Sequence, residues 1–194
     1  MKDKLLKKGN LKLSKGVGVW TLPATMEVCG RQCPQCYAIK AQKLYPNVMG
    51  YRERKLEESQ SPDWVDDMIL EILTSKNLRF VRVHESGEFY SQEYVNKWYE
   101  IAKNCPNITF YAYSKRLEEF DFKTLKSLPN FVLHNSLYEN AINYGKNITP
   151  TATALGGVVC PLTLQKDWHG KCGDECTWCM QKCNEGTPIF FEKH

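Results

Sequence analysis

Leu78-Arg79-Phe80-Val81-Arg82-Val83-His84-Glu85-Ser86-Gly87-Glu88 is the stretch on which the fold turns. Residues 78–84 alternate and are rich in Val and Phe, the pattern of a strand, and they stop at a polar turn with a flexible glycine. Before it, Pro62 stands where a helix accepts proline, in its first turn, and Val65, Met68, Ile69, Ile72 and Leu73 form a helical apolar stripe that ends near Lys76. After it come a helix at 91–103, a strand at 108–113, a helical stretch at 116–126 and a strand at 131–135. Upstream lie an apolar, β-branched run at 17–21 and two short helical patterns at 37–43 and 51–58; downstream a further strand is expected within 151–159, its limits blurred by Gly156 and Gly157. Strands alternating with helices predict an α/β fold whose parallel strands are joined by crossover helices, with ligands gathered outside the carboxyl ends of the strands. Four of those ends carry reactive groups: a first cysteine cluster, then His84 to Glu88, then Ser114-Lys115, then Asn135-Ser136. On a parallel sheet they meet at one rim; the plainer reading is that loops are polar in general.

The chain has 194 residues, 26 Lys and Arg against 22 Asp and Glu, and 42% hydrophobic content, which describes one soluble domain with a core. A closed eight-unit βα barrel takes about 250 residues, so any barrel here is incomplete. The longest uncharged run, 147–165, is broken by Pro150, Gly156, Gly157 and Pro161, and no membrane span is expected. Residues 1–16 hold lysines 2, 4, 7, 8, 12 and 15 without the apolar stretch of a signal peptide, so they read as a solvated basic arm on a cytoplasmic protein. A net charge of +4 permits nucleic-acid contact as a partner without supporting it. The tryptophans are dispersed, as core residues are, and are not arranged as a base-stacking platform.

The nine cysteines carry the chemistry. Their number is odd, no export signal is present, and seven of the nine fall into two clusters, which favours metal ligation over a disulfide framework. Cys29, Cys33 and Cys36 are spaced C-x3-C-x2-C, with Gly30 and Pro34 opposing a regular helix through them. Three thiolates invite an open site: structural zinc is closed by four protein ligands, whereas a four-iron cluster held by three cysteines leaves one iron for another molecule. Cys172, Cys176, Cys179 and Cys183 form a second group in a cap at 160–194, with Cys160 upstream. On one helix Cys172 and Cys183 stand about 16 Å apart at about 1.5 Å per residue, so the chain folds back or Cys160 replaces one ligand. The favoured set is Cys160, Cys172, Cys176 and Cys179, with Cys183 in reserve and Trp178 as a shield; a second iron–sulfur cluster and zinc both remain open. Cys105 is expected to be a small buried residue.

The loop Cys29-Gly30-Arg31-Gln32-Cys33-Pro34-Gln35-Cys36-Tyr37 resembles the cluster-binding loop of the radical S-adenosylmethionine (SAM) superfamily, in which an aromatic residue commonly follows the third cysteine. Ser86-Gly87-Glu88 stands where that superfamily places a motif ending in Gly-Glu, although Ser86 replaces the usual glycine. The resemblance implies an incomplete parallel βα barrel of the radical SAM type over 17–159, following the arm at 1–16 and preceding the cap at 160–194. It implies a [4Fe-4S] cluster on Cys29, Cys33 and Cys36, SAM as cofactor chelating the open iron, and Glu88 accepting a hydrogen bond from the methionine amine. It further implies reductive cleavage of SAM to a 5′-deoxyadenosyl radical that acts on an unknown substrate, with a reductant such as flavodoxin or ferredoxin as partner. Tyr37, His84, Ser86, Gly87, Lys115, Asn135 and Ser136 are the remaining expected cofactor contacts, the last three by topology. His84 is equally well read as a packing residue. The stretch from Arg82 through Tyr90 to Tyr113-Ser114-Lys115 also resembles the phage-encoded gene-product-88-like family, over most of the chain. The alternative reading is a non-catalytic iron–sulfur or zinc protein of phage origin, serving electron transfer or binding nucleic acid or a host protein.

Overall fold

A computed structural model describes residues 4–9, 13–31, 33, 36–136, 158–159, 176–177 and 189–190. Five strands form one mixed sheet in chain order: β1 (Lys7–Lys8), β2 (Val17–Val19), β3 (Phe80–Val83), β4 (Thr109–Ser114) and β5 (Phe131–Asn135). β1 runs antiparallel to β2, and every later neighbour is parallel. Helices α1 (Met26–Cys29), α2 (Tyr37–Leu44), α3 (Pro46–Gln60) and α4 (Trp64–Thr74) connect β2 to β3; α5 (Gln92–Asn104) connects β3 to β4, and α6 (Lys123–Lys126) connects β4 to β5. β6 (Val158–Val159) pairs in parallel with β7 (Ile189–Phe190) in a separate two-stranded sheet. The strand expected within 151–159 therefore does not extend the main sheet at residues 158–159.

Apolar side chains on both faces of the main sheet form two cores. Val81, Val83, Phe110, Ala112 and Phe131 belong to the larger core, shared with Trp64, Met68 and Ile72 of α4 and Tyr94, Val95, Trp98, Ile101 and Ala102 of α5. Val17, Val19, Tyr111 and Val132 form a second cluster with Leu13, against which Phe80 and Tyr113 pack. At the centre of the larger core the Trp64 ring meets Trp20 at 5.2 Å and, edge-on, Trp98 at 5.3 Å. Trp20, Trp64 and Trp98 are thus core residues, as expected; Trp168 and Trp178 lie outside the described residues. Cys105 is buried beneath the end of α5, where the Asn130 side-chain amide donates to the carbonyls of Ala102, Cys105 and Ile108.

Three expectations are corrected. The stretch 116–126 is not one helix: only α6 is helical, because Gln92 Oε1 accepts from the Asp121 amide, Phe122 is buried against Phe89, and Arg116 is drawn away from a helical backbone pattern by Ser114 Oγ. The pattern at 51–58 belongs to a longer helix that starts at Pro46, a residue whose fixed φ suits a first turn. The lysine-rich opening is not a free arm over its described part: Leu5, Leu6 and Leu13 are buried, and the amides of Leu5 and Leu6 donate to the Glu71 carboxylate at 2.6 and 2.8 Å. Lys7 and Lys8 then form a short, exposed edge strand, whose charge discourages pairing with another sheet. Among the described residues no helix is long and apolar enough to cross a membrane.

Two predictions follow from these contacts. Glu71→Ala should cost about 1.5–3 kcal/mol, since both amides bond to a charged acceptor, and should speed hydrogen exchange at Leu5 and Leu6 while Phe110 stays protected. Unchanged exchange at those two amides would show that the carboxylate does not hold β1. Burial lowers the pKa of His84 to about 3 and that of His134 to about 4. Folded values below the unfolded value favour the neutral form, so this stabilisation is complete above pH ~6.5 and is lost as pH falls from there toward 4 and then 3, at up to about 1.4 kcal/mol per pH unit for each histidine. Urea melts across that range should show the decline, and His84→Asn should flatten it; asparagine tolerates the positive φ of 68° at that position.

Candidate active site at the carboxyl ends of the strands

The rim is built by hydrogen bonds that continue past the strands. The Trp20 amide donates to the Arg82 carbonyl at 3.0 Å, the Glu85 amide to Trp20 at 2.9 Å, and the Leu22 amide to Ser86 at 2.9 Å. This laces the turn after β3 to the segment after β2 so closely that Gly87, with φ 85°, has no room for a side chain: a Cβ there would lie 2.5 Å from Leu22 Cβ. Thr25 caps α1 by accepting from the Val28 amide, and Gly30, with φ 68°, ends it. Cys29 is therefore the last residue of α1, and the chain leaves the helix immediately after it, as Gly30 leads one to expect. Cys36 is the N-cap of α2. Gln42 Oε1 ties α2 back to the rim by accepting from the Ala24 amide at 2.7 Å and from the buried Arg52 at 2.9 Å.

A second tie was not foreseen from the sequence. Arg116, just past β4, donates from Nη1 to the Val28 carbonyl at 2.9 Å and from Nε to Glu119 at 2.8 Å, while its guanidinium lies 4.8 Å over Phe120. A Cβ on Gly30 would sit 2.9 Å from the Arg116 Cζ, so the glycine admits the arginine that fixes the cysteine loop. The only available sequence signal was position, two residues beyond a strand-end serine.

Glu88 is 5% exposed. Its Oε1 accepts from the Lys115 amide at 3.0 Å, and its Oε2 is buried with no hydrogen-bond partner among the described residues. Burial pushes its pKa up, against the Lys115 amide and the Ser114 hydroxyl, which favour the carboxylate. The thiols stand in the same field. Cys29 is pushed up to about 11 by burial, then by Glu88, Cys36 and Cys33, with Lys115 opposing; Cys33 is also pushed up, chiefly by burial, with Lys115 the first opposing charge. Among the described residues no group of three or more His, Cys, Asp or Glu side chains is gathered closely enough to hold a single metal ion.

The other expected contacts divide. Tyr37 donates its hydroxyl to the Glu85 carbonyl and so closes the cysteine loop over the β3 turn. Ser86 is 4% exposed, and its hydroxyl has no partner among the described residues. The Ser136 amide donates to the Ser114 carbonyl at 2.8 Å, and Asn135 is exposed at the end of β5. His84 turns into the core instead: the Trp20 indole donates to the Tyr94 hydroxyl at 2.9 Å, that hydroxyl is hydrogen-bonded to His84 Nε2 at 3.1 Å, and the ring packs edge-on against Phe89. This is its packing role. Of the cap's cysteines Cys176 is described, half-buried, and Cys160, Cys172, Cys179 and Cys183 lie outside the described residues. Gly87→Ala should destabilise the protein by about 1–3 kcal/mol from the backbone strain alone, with the overlap on Leu22 adding to it. Denaturant melts of equal midpoint for the two proteins would mean that the turn is not locked to the segment after β2.

Comparison with known proteins adds the following. No solved structure matches the chain. The Gene 88 protein of Mycobacterium phage L5 is 24% identical over 131 residues, which is 64% of this chain and 54% of that protein, so the chain spans about half the length of this curated relative. The sequence profile described as Gene product 88 matches residues 3–182, taking in β1, the first cysteine loop, all four strand ends and most of the second cysteine group. This bears out the resemblance to the phage family, whereas the radical SAM likeness rests on the residues themselves. On a match covering nearly its whole length, the chain belongs to the Gene product 88 family.

Proposed function

We propose that this protein is a small iron–sulfur enzyme of the radical SAM type, in which Cys29, Cys33 and Cys36 hold a [4Fe-4S] cluster and Glu88 receives the amine of SAM. The observation that carries this reading is the unpartnered Oε2 of Glu88, buried at the same rim as the cysteines. A buried carboxylate oxygen is costly unless a donor completes it, and a cationic amine supplies both the proton and the charge. The donor set fits the cluster: three soft thiols with no fourth described ligand, on a loop that Gly30 releases from α1. A cubane gives each thiolate a different iron, so it does not require the three sulfurs to converge on one ion. When bound, the cluster supplies the single electron that cleaves the sulfonium of SAM to methionine and a 5′-deoxyadenosyl radical.

The protein's own residues orient and charge-balance the ligand. Lys115, whose backbone amide bonds Glu88 and whose charge acts on Cys29 and Cys33, would take the methionine carboxylate. Tyr37 and Arg116 hold the cysteine loop against the turns after β3 and β4. The parallel, chain-order arrangement of β2 to β5 is that of an arc of a βα barrel and supports the incomplete barrel expected for this class. A flavodoxin or ferredoxin of the host cytoplasm would supply electrons, and the C-terminal cysteines would hold a second cluster or zinc. The second reading, a non-catalytic metal protein, draws on the phage origin of the relative.

Anaerobically reconstituted protein should be brown, with about four irons in the first cluster, and Cys29→Ala, Cys33→Ala or Cys36→Ala should remove that cluster alone. SAM should bind the loaded protein, and with dithionite 5′-deoxyadenosine should accumulate. Glu88→Gln should keep the iron but weaken SAM binding by roughly 10- to 100-fold, the equivalent of one charge-assisted hydrogen bond of about 1.5–3 kcal/mol. Stoichiometric zinc persisting at the first site after reconstitution, or no SAM binding to a fully loaded cluster, would favour the non-catalytic reading.

A further inference from the structure

Just below the rim, on the sheet face turned away from α4 and α5, lie three polar residues, each the last but one of its strand: Arg82 of β3, Tyr113 of β4 and His134 of β5. The register pairs Arg82 with Tyr111 and Tyr113 with His134, and strand alternation puts all four on the face that carries Val17, Val19 and Val132. The His134 ring is stacked on Tyr113 at 4.5 Å and 12°, and the Arg82 guanidinium stands 6.0 Å over the same ring. Two of the three polar heads are incomplete. Among the described residues the Nε2 of His134, itself 6% exposed, has no hydrogen-bond partner, the buried Arg82 Nε has none, and no carboxylate pairs with that guanidinium.

A buried arginine Nε–H and a buried imidazole nitrogen without hydrogen-bond partners among the described residues are costly for folding alone. Their chemistry is complementary to one kind of group. The Nε–H and a neighbouring Nη–H of an arginine form the planar fork that takes two oxygens of one anion, and a neutral imidazole protonated on Nε2 gives a third donor. The tyrosine ring keeps both heads in place. Tyr37, which follows the third cysteine, donates to the Glu85 carbonyl three residues beyond Arg82, so β3 carries Arg82 up to the cysteine loop.

We propose that Arg82 and His134, held over Tyr113, anchor an oxyanion of the enzyme's substrate, a phosphate or a carboxylate, on the sheet face beneath the rim. This rests on the enzymatic reading above for the word substrate, but the anion site stands on its own geometry. It places the molecule acted upon below the cysteine loop and leaves Lys115, at the rim, for the methionine carboxylate.

The test begins with metal-free, full-length protein, titrated separately with inorganic phosphate and with acetate while the arginine Nε–H and histidine ring resonances are followed by NMR. One of the two anions should bind saturably and shift Arg82 and His134 together; which one does so separates a phosphorylated substrate from a carboxylic acid. Arg82→Gln and His134→Gln, each checked for native circular dichroism, should weaken that binding at least 10-fold. Either variant alone suffices if the other fails to fold. No saturable binding of either anion, or equal binding by wild type and a folded variant, would overturn the proposal. In cluster-loaded protein the anion and SAM should bind independently; competition between them would assign Arg82 to the methionine carboxylate and overturn the substrate site. If the anion binds at Arg82 while loaded protein takes no SAM, the oxyanion site is retained and the enzymatic reading falls.

Discussion

Parallel hydrogen bonding of four strands in chain order is the constraint on which the remaining architecture depends. Because β2, β3, β4 and β5 all run the same way, their carboxyl ends fall on one edge, and every segment that leaves a strand must start from that edge. The pairing does not stop where the strands stop. Backbone bonds from Leu22 to Ser86 and from Ser136 to Ser114 carry the ladder into the turns. A rim made this way is rigid without being helical, which suits a loop that must present three thiols in fixed positions.

The chemical character of that rim comes from burial acting on charge. Among the described residues Glu88 is satisfied on one oxygen and bare on the other, and its charge adds to burial in pushing the pKa of the Cys29 thiol up. A buried carboxylate with one oxygen left bare costs stability. The scaffold beneath offsets the cost. Trp20, Trp64, Tyr94 and Trp98 form a continuous aromatic core, Arg116 ties the start of the cysteine loop to the turn after β4 through the Val28 carbonyl, and Gln42 ties α2 to the Ala24 amide.

The two faces of the sheet divide the work. One is covered by α4 and α5 and is almost wholly apolar. The other mixes Val17, Val19 and Val132 with Arg82, Tyr113 and His134, and polar heads lie nearest the rim. A gradient from apolar to polar along one face, rising toward the edge where reactive groups collect, is the form a binding surface takes on a parallel sheet.

Periodicity and spacing by themselves determined the alternation of strands and helices, the parallel sheet and the four polar strand ends, because hydrophobic pattern and turn chemistry are local properties. Glycine at 87 was legible as a turn, but not as the point where Leu22 approaches within the space of a side chain. Three things needed the tertiary structure. His84 reads as a rim residue, yet its positive φ turns the ring into the core toward Tyr94. The lysines at 7 and 8 read as a tail, yet the leucines before them are held by a carboxylate more than 60 residues away. Arg116 carries no motif, and its grip on the Val28 carbonyl spans 88 positions. Each of these depends on a partner distant in the chain, and a long-range hydrogen bond leaves no periodic trace in the residues that make it.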